Sequence, residues 1–363
     1  MQSKDTVETP APIITMPSKP TKLRVLTVGC GAISKAWLEA AQLHYPDRFE
    51  LAVFCDTVLA AAEARAREFG TPGARVGTAL GPLLAEVRPD VVFNCTVPAA
   101  HCTVTTAALR AGAHVLSEKP LAATLEEGRE IVRTARETGR VCAVVQNYRY
   151  NPGAVRVRQA LAAGLIGEVH TLNVDFFRAP RFGGFRDRMR HVLLLDMSIH
   201  TFDLARFFSG RDADSVQCLV YNPPASWYDH GATAMATFSL GARAGFNYRG
   251  SWCADGHPTS WSGSWRIVGT KGTLLWDGED RVEVEIVADP AGDGTRTLKP
   301  VVPPVDLPPA RRGHAGMMGD FLQAIAGGGP PPTAVADNFR SFAMVECAVA
   351  SAEQGARVAV ASE

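Results

Sequence analysis

A rhythm constrains this chain more than any single motif. Between residues 23 and 147, short runs of apolar and β-branched residues (23–28, 51–55, 91–95, 114–117, 141–146) alternate with stretches of helical spacing (33–44, 58–69, 103–111, 125–138). Gly29, Gly70 and Gly112 punctuate them. Strands that alternate with helices are joined by crossovers, which predicts parallel βαβ units in a doubly wound sheet. Within 33–44, the apolar positions Ile33, Trp37, Ala40 and Leu43 predict the face turned towards that sheet.

After residue 147 the pattern changes. A helix is predicted over 154–163, then strands over 168–177, 215–221, 232–239, 243–248, 264–268, 272–276 and 282–287, interrupted by one helix near 196–208. This predicts an open, mostly antiparallel sheet with helices on one face. Residues 300–309 read as a proline-rich loop, and 317–326 and 336–354 as closing helices. The 363 residues exceed what one ordinary core holds. The division predicted is a disordered tail over 1–22, an α/β domain with a Rossmann-type sheet over 23–147, and an α+β domain over 148–363 for substrate binding and oligomerisation.

Composition narrows the partners. Lys plus Arg and Asp plus Glu are 37 each, so no global field favours nucleic acid or an acidic membrane. The eight cysteines form no CxxC pair and sit largely in apolar runs, as reduced, buried residues of a cytoplasmic protein do. Their spacing offers no metal site. No apolar run reaches the roughly 18 residues a membrane helix needs, and the first 22 residues carry four prolines and no continuous apolar core.

The chemistry begins at Gly29-Cys30-Gly31-Ala32-Ile33-Ser34, between the first strand and the first helix. The first glycine allows a tight turn, and the second lets backbone approach a pyrophosphate at the helix N-terminus. Ser34 stands where a third glycine is usual; its small size still permits close packing. Asp56 closes the next strand, placed to accept hydrogen bonds from ribose hydroxyls and to repel a 2′-phosphate. That favours NAD, with NADP as the alternative; as a bland reading, Asp56 caps the following helix. Ser117-Glu118-Lys119-Pro120 follows a strand whose C-terminal end faces the ligand crevice of such folds. Asp196 and His200 lie four apart, on one face of a helix, with Asp203 near the same side. Alcohol oxidation needs a base for the hydroxyl proton, and a His beside a carboxylate suits that task.

With these residues in view, the chain resembles the Gfo/Idh/MocA family, named after glucose–fructose oxidoreductase and inositol dehydrogenase. The resemblance runs from about residue 23 to the C-terminus. It rests on the turn at 29–34, Asp56, Thr96-Val97-Pro98 with His101, Glu118-Lys119-Pro120, Tyr148-Arg149 with Asn151-Pro152, and Asp196-x-x-x-His200 with Asp203. It implies that His200 is the base, that Lys119 hydrogen-bonds the reacting oxygen, and that Asp196 orients the substrate. It further implies that Thr96, Pro98, His101 and Glu118 line the cofactor, with Asn147 and Arg149 near the nicotinamide, Arg149 also reaching the substrate.

For the substrate, two segments stand out. Residues 177–191 hold Arg178, Arg181, Arg186, Arg188 and Arg190, either an anion site or a solvated loop or interface. Trp252, Trp261 and Trp265 lie among hydroxyl residues, which suits a polyol packed on rings, Trp252 being the candidate contact; they are equally ordinary strand aromatics. The leading expectation is an NAD(P)-dependent dehydrogenase of a sugar or polyol, forming a homodimer or homotetramer. The alternatives are a glycosidase that retains NAD, a non-catalytic dinucleotide-binding regulator, and a reductase of a cyclic dihydrodiol or bilin-like double bond.

Overall fold

The computed structural model describes residues 22–288, 297–302 and 312–363. All of the expected tail except Lys22, and most of the stretch 300–309, lie outside the described residues.

The alternating part folds as the rhythm predicts. Strands β1 (Leu23–Val28), β2 (Phe49–Cys55), β3 (Arg75–Gly77), β4 (Val91–Asn94), β5 (His114–Ser117) and β6 (Cys142–Val144) form a parallel sheet in the order β3-β2-β1-β4-β5-β6. The crossovers are α1 (Ala32–His44), α2 (Leu59–Phe69), α3 (Leu80–Val87), α4 (Pro98–Arg110) and α5 (Leu125–Thr138). The strand order reverses between β1 and β4, which opens a crevice at their C-terminal ends.

Local chemistry explains most boundaries. Thr124 caps α5 by accepting from the Glu127 amide at 3.2 Å, and Glu126 and Glu127 place negative charge at its N-terminus. Pro98 opens α4 five residues before the expected start, because a ring without an N–H costs nothing at the first helical position. β3 and α3 were not anticipated: β3 has three residues, and Gly81 and Pro82 in the first turn of α3 hide its helical pattern. The buried face of α1 is Ser34, Trp37, Leu38 and Ala41, shifted from the expected one, while Ile33 is 44% and Leu43 75% exposed.

After α6 (Pro152–Ala162) comes the second sheet: β7 (Val169–Phe177), β8 (Ser215–Tyr221), β9 (Thr233–Ser239), β10 (Gly245–Ser251), β11 (Ser264–Gly269), β12 (Gly272–Trp276), β13 (Val282–Val287), β14 (Leu298–Val301) and β15 (Val358–Ala359). The order is β14-β13-β12-β11-β7-β10-β9-β8-β15, antiparallel throughout except for the parallel pair β7–β10. Pro300 falls within the short β14, so the expected loop begins later. A π turn over Leu194–Ser198 leads into α7 (Ile199–Ser209), where one continuous helix was expected.

The closing helices reach back to the first sheet. α8 (Gly313–Ile325) packs on α1, burying Met317, Met318, Phe321 and Leu322 in one cluster with Trp37 and Leu38. α9 (Val335–Gln354) packs against α5, α7 and β8. The chain beyond residue 147 therefore completes the core on which the crevice is built. All eight cysteines are free. No helix among the described residues is long and apolar enough to cross a membrane.

Candidate active site

The glycine turn sits at the mouth of the crevice. Gly29 adopts φ +85°, and a Cβ there would come within 2.6 Å of the Cys95 backbone, so the position admits only glycine. A Cβ on Gly31 would meet nothing within 4 Å, so the turn presents open space at the N-terminus of α1. No side chain caps that terminus and no acidic residue occupies its first turn, which leaves its N–H groups available to an anion. Ser34 is buried and its hydroxyl donates to the Gly31 carbonyl at 2.7 Å, closing the turn in place of a third glycine.

Asp56 holds this arrangement. One carboxylate oxygen accepts from the Cys30 amide at 2.7 Å and the other from the Val58 amide at 2.9 Å, so it both anchors the glycine turn and caps the chain entering α2. The Thr57 hydroxyl also donates weakly to Oδ1 at 3.5 Å, and Oδ2 retains a free lone-pair direction. Arg65 adds a cation that Thr57 and Val58 do not supply. It donates to the Gly31 carbonyl at 3.1 Å and pairs with Glu68 at 2.7 Å. Ile33, Val58, Leu59 and Val97 are exposed around the same crevice. Large apolar residues left uncovered at a topological switch point are what a partly apolar ligand would bury. The crevice therefore fits a dinucleotide in its backbone donors, its acidic residue and its apolar rim.

The loops after β4 and β5 are welded together rather than open to a ligand. The His101 ring is fully buried, with Nδ1 2.7 Å from the Pro120 carbonyl and Nε2 3.0 Å from the Thr96 carbonyl. Burial pushes its pKa down. Glu118 is also buried, accepting from the Trp37 indole at 2.7 Å and the Lys119 amide at 3.1 Å; burial raises its pKa against both bonds. Both residues were expected to line the cofactor. Their polar atoms are instead spent on fixing the turn that presents Lys119. Thr96 bonds to Asn94 at 2.6 Å, and Pro98 starts α4.

Lys119 crosses the crevice to the π turn. Its Nζ donates to the Asp196 carbonyl at 2.8 Å and lies 3.7 Å from Asp196 Oδ1. An i→i+5 turn widens the backbone at this point, a distortion frequent at functional sites. Arg186, from the arginine-rich segment, donates through Nε to Asp196 Oδ2 at 2.8 Å. His200 follows in the first turn of α7, buried, with the Tyr148 ring stacked on it at 4.1 Å and 13°. Its Nδ1 is buried without a hydrogen-bond partner among the described residues. Burial first, then the charges at Lys119 and His314, hold its pKa well below the ordinary imidazole value. Lys119, Asp196 and His200 thus converge.

Other expected residues lie elsewhere. Arg149 is buried in an ion network: Nε and Nη2 take the two Asp203 oxygens at 2.7 and 2.6 Å, Nη2 also reaches Asp337 at 2.8 Å, and Nη1 donates to the Pro332 carbonyl. Its guanidinium ties the turn after β6 to α7 and α9, its charge spent on Asp203 and Asp337. Asp203, expected beside His200, is the buried centre of that network and also accepts from Ser341. Trp252 is 0% exposed, packed on Phe176 at 5.6 Å, and Trp265 is core. Of the three tryptophans only Trp261 is exposed, at 39%, so the expected Trp252 contact is corrected to a core role. Asn147 is half-buried at the start of a 3-10 turn.

Three residues of this site carried no assigned role in the sequence. Arg186 was one of five arginines, Tyr148 was named only in a motif, and His314 has no local signature at all. Trp37 was legible as helix core but not as the donor that fixes Glu118. Among the described residues, no group of three or more His, Cys, Asp or Glu side chains could hold a metal ion.

Residues 23–146 match the model of an oxidoreductase family with an NAD-binding Rossmann fold, and 154–275 match the GFO/IDH/MocA C-terminal domain. D-apiose dehydrogenase of Paraburkholderia graminis is 26% identical over 345 residues, 92% of this chain and 89% of its own length. D-glucoside 3-dehydrogenase of Escherichia coli is 32% identical over 193 residues, 52% of this chain and 54% of its own length. Among solved structures, an oxidoreductase from Agrobacterium radiobacter in complex with NAD+, L-tartaric acid and magnesium superposes with a TM-score of 0.80 at 22% identity, covering 94% of this chain and 99% of that one.

Proposed function

The chain belongs to the Gfo/Idh/MocA family of NAD-dependent oxidoreductases, and from that premise we propose that it oxidises a hydroxyl of a sugar or polyol, with His200 as the base and Lys119 as partner of the reacting oxygen. The observation that carries this reading is the convergence of Lys119 on the π turn at Asp196, with His200 entering α7 just beyond.

Bound NAD supplies the hydride acceptor. Gly29, Gly31 and Ala32 with Ile33 give the pyrophosphate a backbone cradle, and Asp56 accepts from the ribose hydroxyls. Thr96, Pro98 and Asn147 flank the crevice; His101 and Glu118 act through the loops they brace. The depressed pKa leaves His200 neutral near pH 7, ready to take the hydroxyl proton. The Lys119 ammonium has three donors; one is committed to the Asp196 carbonyl, and the rest can serve the carboxylate and the developing alkoxide. In the reverse direction the protonated imidazole of His200 returns the proton to the carbonyl oxygen. Tyr148, stacked flat, fixes the imidazole plane.

Named relatives that act on D-apiose and D-glucosides support the substrate class. Oxidation of an aldose to a lactone and of a ring hydroxyl to a ketone both fit. Leu219, Tyr221 and Met235, exposed on β8 and β9 of the nine-stranded sheet, support a homodimer or homotetramer.

A panel of aldoses, inositols and sugar acids with NAD and NADP, followed at the reduced-nicotinamide absorbance, tests the reading. Net turnover is expected with NAD. Dinucleotide binding without turnover of any sugar would leave a regulator instead, and release of a glycosidic leaving group without net NAD reduction would indicate the glycosidase.

A further inference from the structure

The proposed dehydrogenase leaves its sugar open, and the arginines after β7 narrow it; this inference rests on that reading. Several of them are occupied. Arg186 is bound to Asp196, Arg181 pairs with Asp255 at 3.0 Å, and Arg190 with Glu353 at 3.4 Å. Arg178 differs. It lies where β7 ends, its amide donating to the Ser251 carbonyl at 2.9 Å and its own carbonyl accepting from Ala254 at 3.1 Å, so its backbone is fixed. Its guanidinium rests 4.3 Å above the Trp261 ring, and Nη1 donates to the Thr259 carbonyl at 2.7 Å. Among the described residues, no carboxylate forms an ion pair with it. The group is half-buried, held flat by a cation–π contact, with most of its N–H fork uncommitted.

Packed side chains connect this charge to the reaction centre: Arg186, bonded to Asp196, lies 5.4 Å from the Phe182 ring, and Phe182 stacks at 6.5 Å on the same Trp261 that carries Arg178. Both Arg178 and Asp196 act electrostatically on the Tyr148 hydroxyl, and Tyr148 is the ring stacked on His200. A concavity of about 350 Å³ opens beside Arg178, lined by Arg178, Pro180, Phe182, Asp255, Pro258 and Trp261, with Asp255 already engaged by Arg181.

We propose that the substrate is a monoanionic sugar acid, a uronate or aldonate, whose carboxylate docks on the free fork of Arg178 while its reacting hydroxyl reaches Lys119 and His200. A planar guanidinium matches a carboxylate two-to-two, and a fork already immobilised on Trp261 loses little further freedom on binding. Arg186, held by Asp196, is a positioning residue for that carboxylate and not the anchor.

The test uses matched pairs on the full chain with NAD: D-glucose against D-glucuronate, D-galactose against D-galacturonate, and D-glucose 6-phosphate as the dianion. The uronates are expected to show kcat/KM about tenfold or more above their neutral partners, the scale of one charge-assisted bond. Arg178→Gln should lower the uronate-to-neutral ratio by about 10- to 100-fold, and Arg178→Lys by less. Calorimetry of D-glucuronate with the NADH-loaded protein should show the same loss in affinity without turnover. Preference for the neutral sugars or the phosphate, or a ratio indifferent to Arg178→Gln, overturns the inference while leaving the dehydrogenase intact. Turnover of no sugar at all, neutral or acidic, removes both.

Discussion

The two walls of the crevice are built differently. The wall formed by β1, α1 and β2 presents mainly backbone to the crevice: a glycine at φ +85° and an uncapped helix terminus, held by one carboxylate bonded to two amides. The facing wall presents side chains from five places: Lys119 after β5, Tyr148 after β6, Arg186 after β7, Asp196 in the π turn and His200 in α7. A backbone site is specified within a few consecutive residues. A side-chain site exists only once the fold has closed.

The contrast sets an order of expected effects. Removing the proposed base or its ammonium partner should cost most. Lys119→Ala and His200→Ala are each expected to lower kcat by about 10² to 10⁴, the range for a general acid or base, while NAD affinity stays within about threefold. Steady-state kinetics beside a binding titration separates the two walls; a parallel loss of NAD affinity would show that they are one unit. Asp56→Ala comes next. It strips bonds from the Cys30 and Val58 amides as well as the ribose acceptor, so NAD affinity should fall about 10- to 100-fold, and NADP affinity by much less. Equal loss for both would mean that Asp56 acts only through the turn. Arg186→Gln should have a smaller effect, about tenfold on kcat. Arg186→Lys should recover part of it, since a lysine still offers charge to Asp196 but not the two-nitrogen approach. An unchanged kcat in the glutamine variant would make the pair an ordinary ion pair of little consequence.

The same contrast explains what could be read from the sequence. The strand–helix alternation, the glycine turn, Asp56 and the Lys119 turn are local patterns, and the structure places them together at one crevice. The face of α1 was misplaced because Ile33 is apolar yet turned to the crevice, and apolar spacing cannot tell a core from a ligand rim. Arg149 and Asp203 looked functional because charged residues near a motif do. Only the fold shows that they satisfy one another inside a buried network with Asp337. Trp252 has the composition of a sugar platform and the burial of a core residue. His314 comes from a helix more than a hundred residues after His200, and no spacing rule joins them.

The finest test concerns the charge that one wall places on the other. Burial and the Lys119 ammonium both push His200 below the ordinary imidazole pKa of about 6.5. Protonated His200 cannot accept a proton, so oxidation should fail only as the pH drops through that lowered value. The acid limb of kcat/KM is therefore expected below pH 6.5, with activity nearly flat from there through 7. Lys119→Gln removes one of the three causes and keeps burial and the neighbouring His314. The His200 imidazole, followed by nuclear magnetic resonance in the variant, should then titrate at a higher pH than in the parent yet still below an exposed histidine, because the ring remains buried. A His200 titration that does not move would mean that the ammonium and the imidazole are too far apart to share a substrate oxygen.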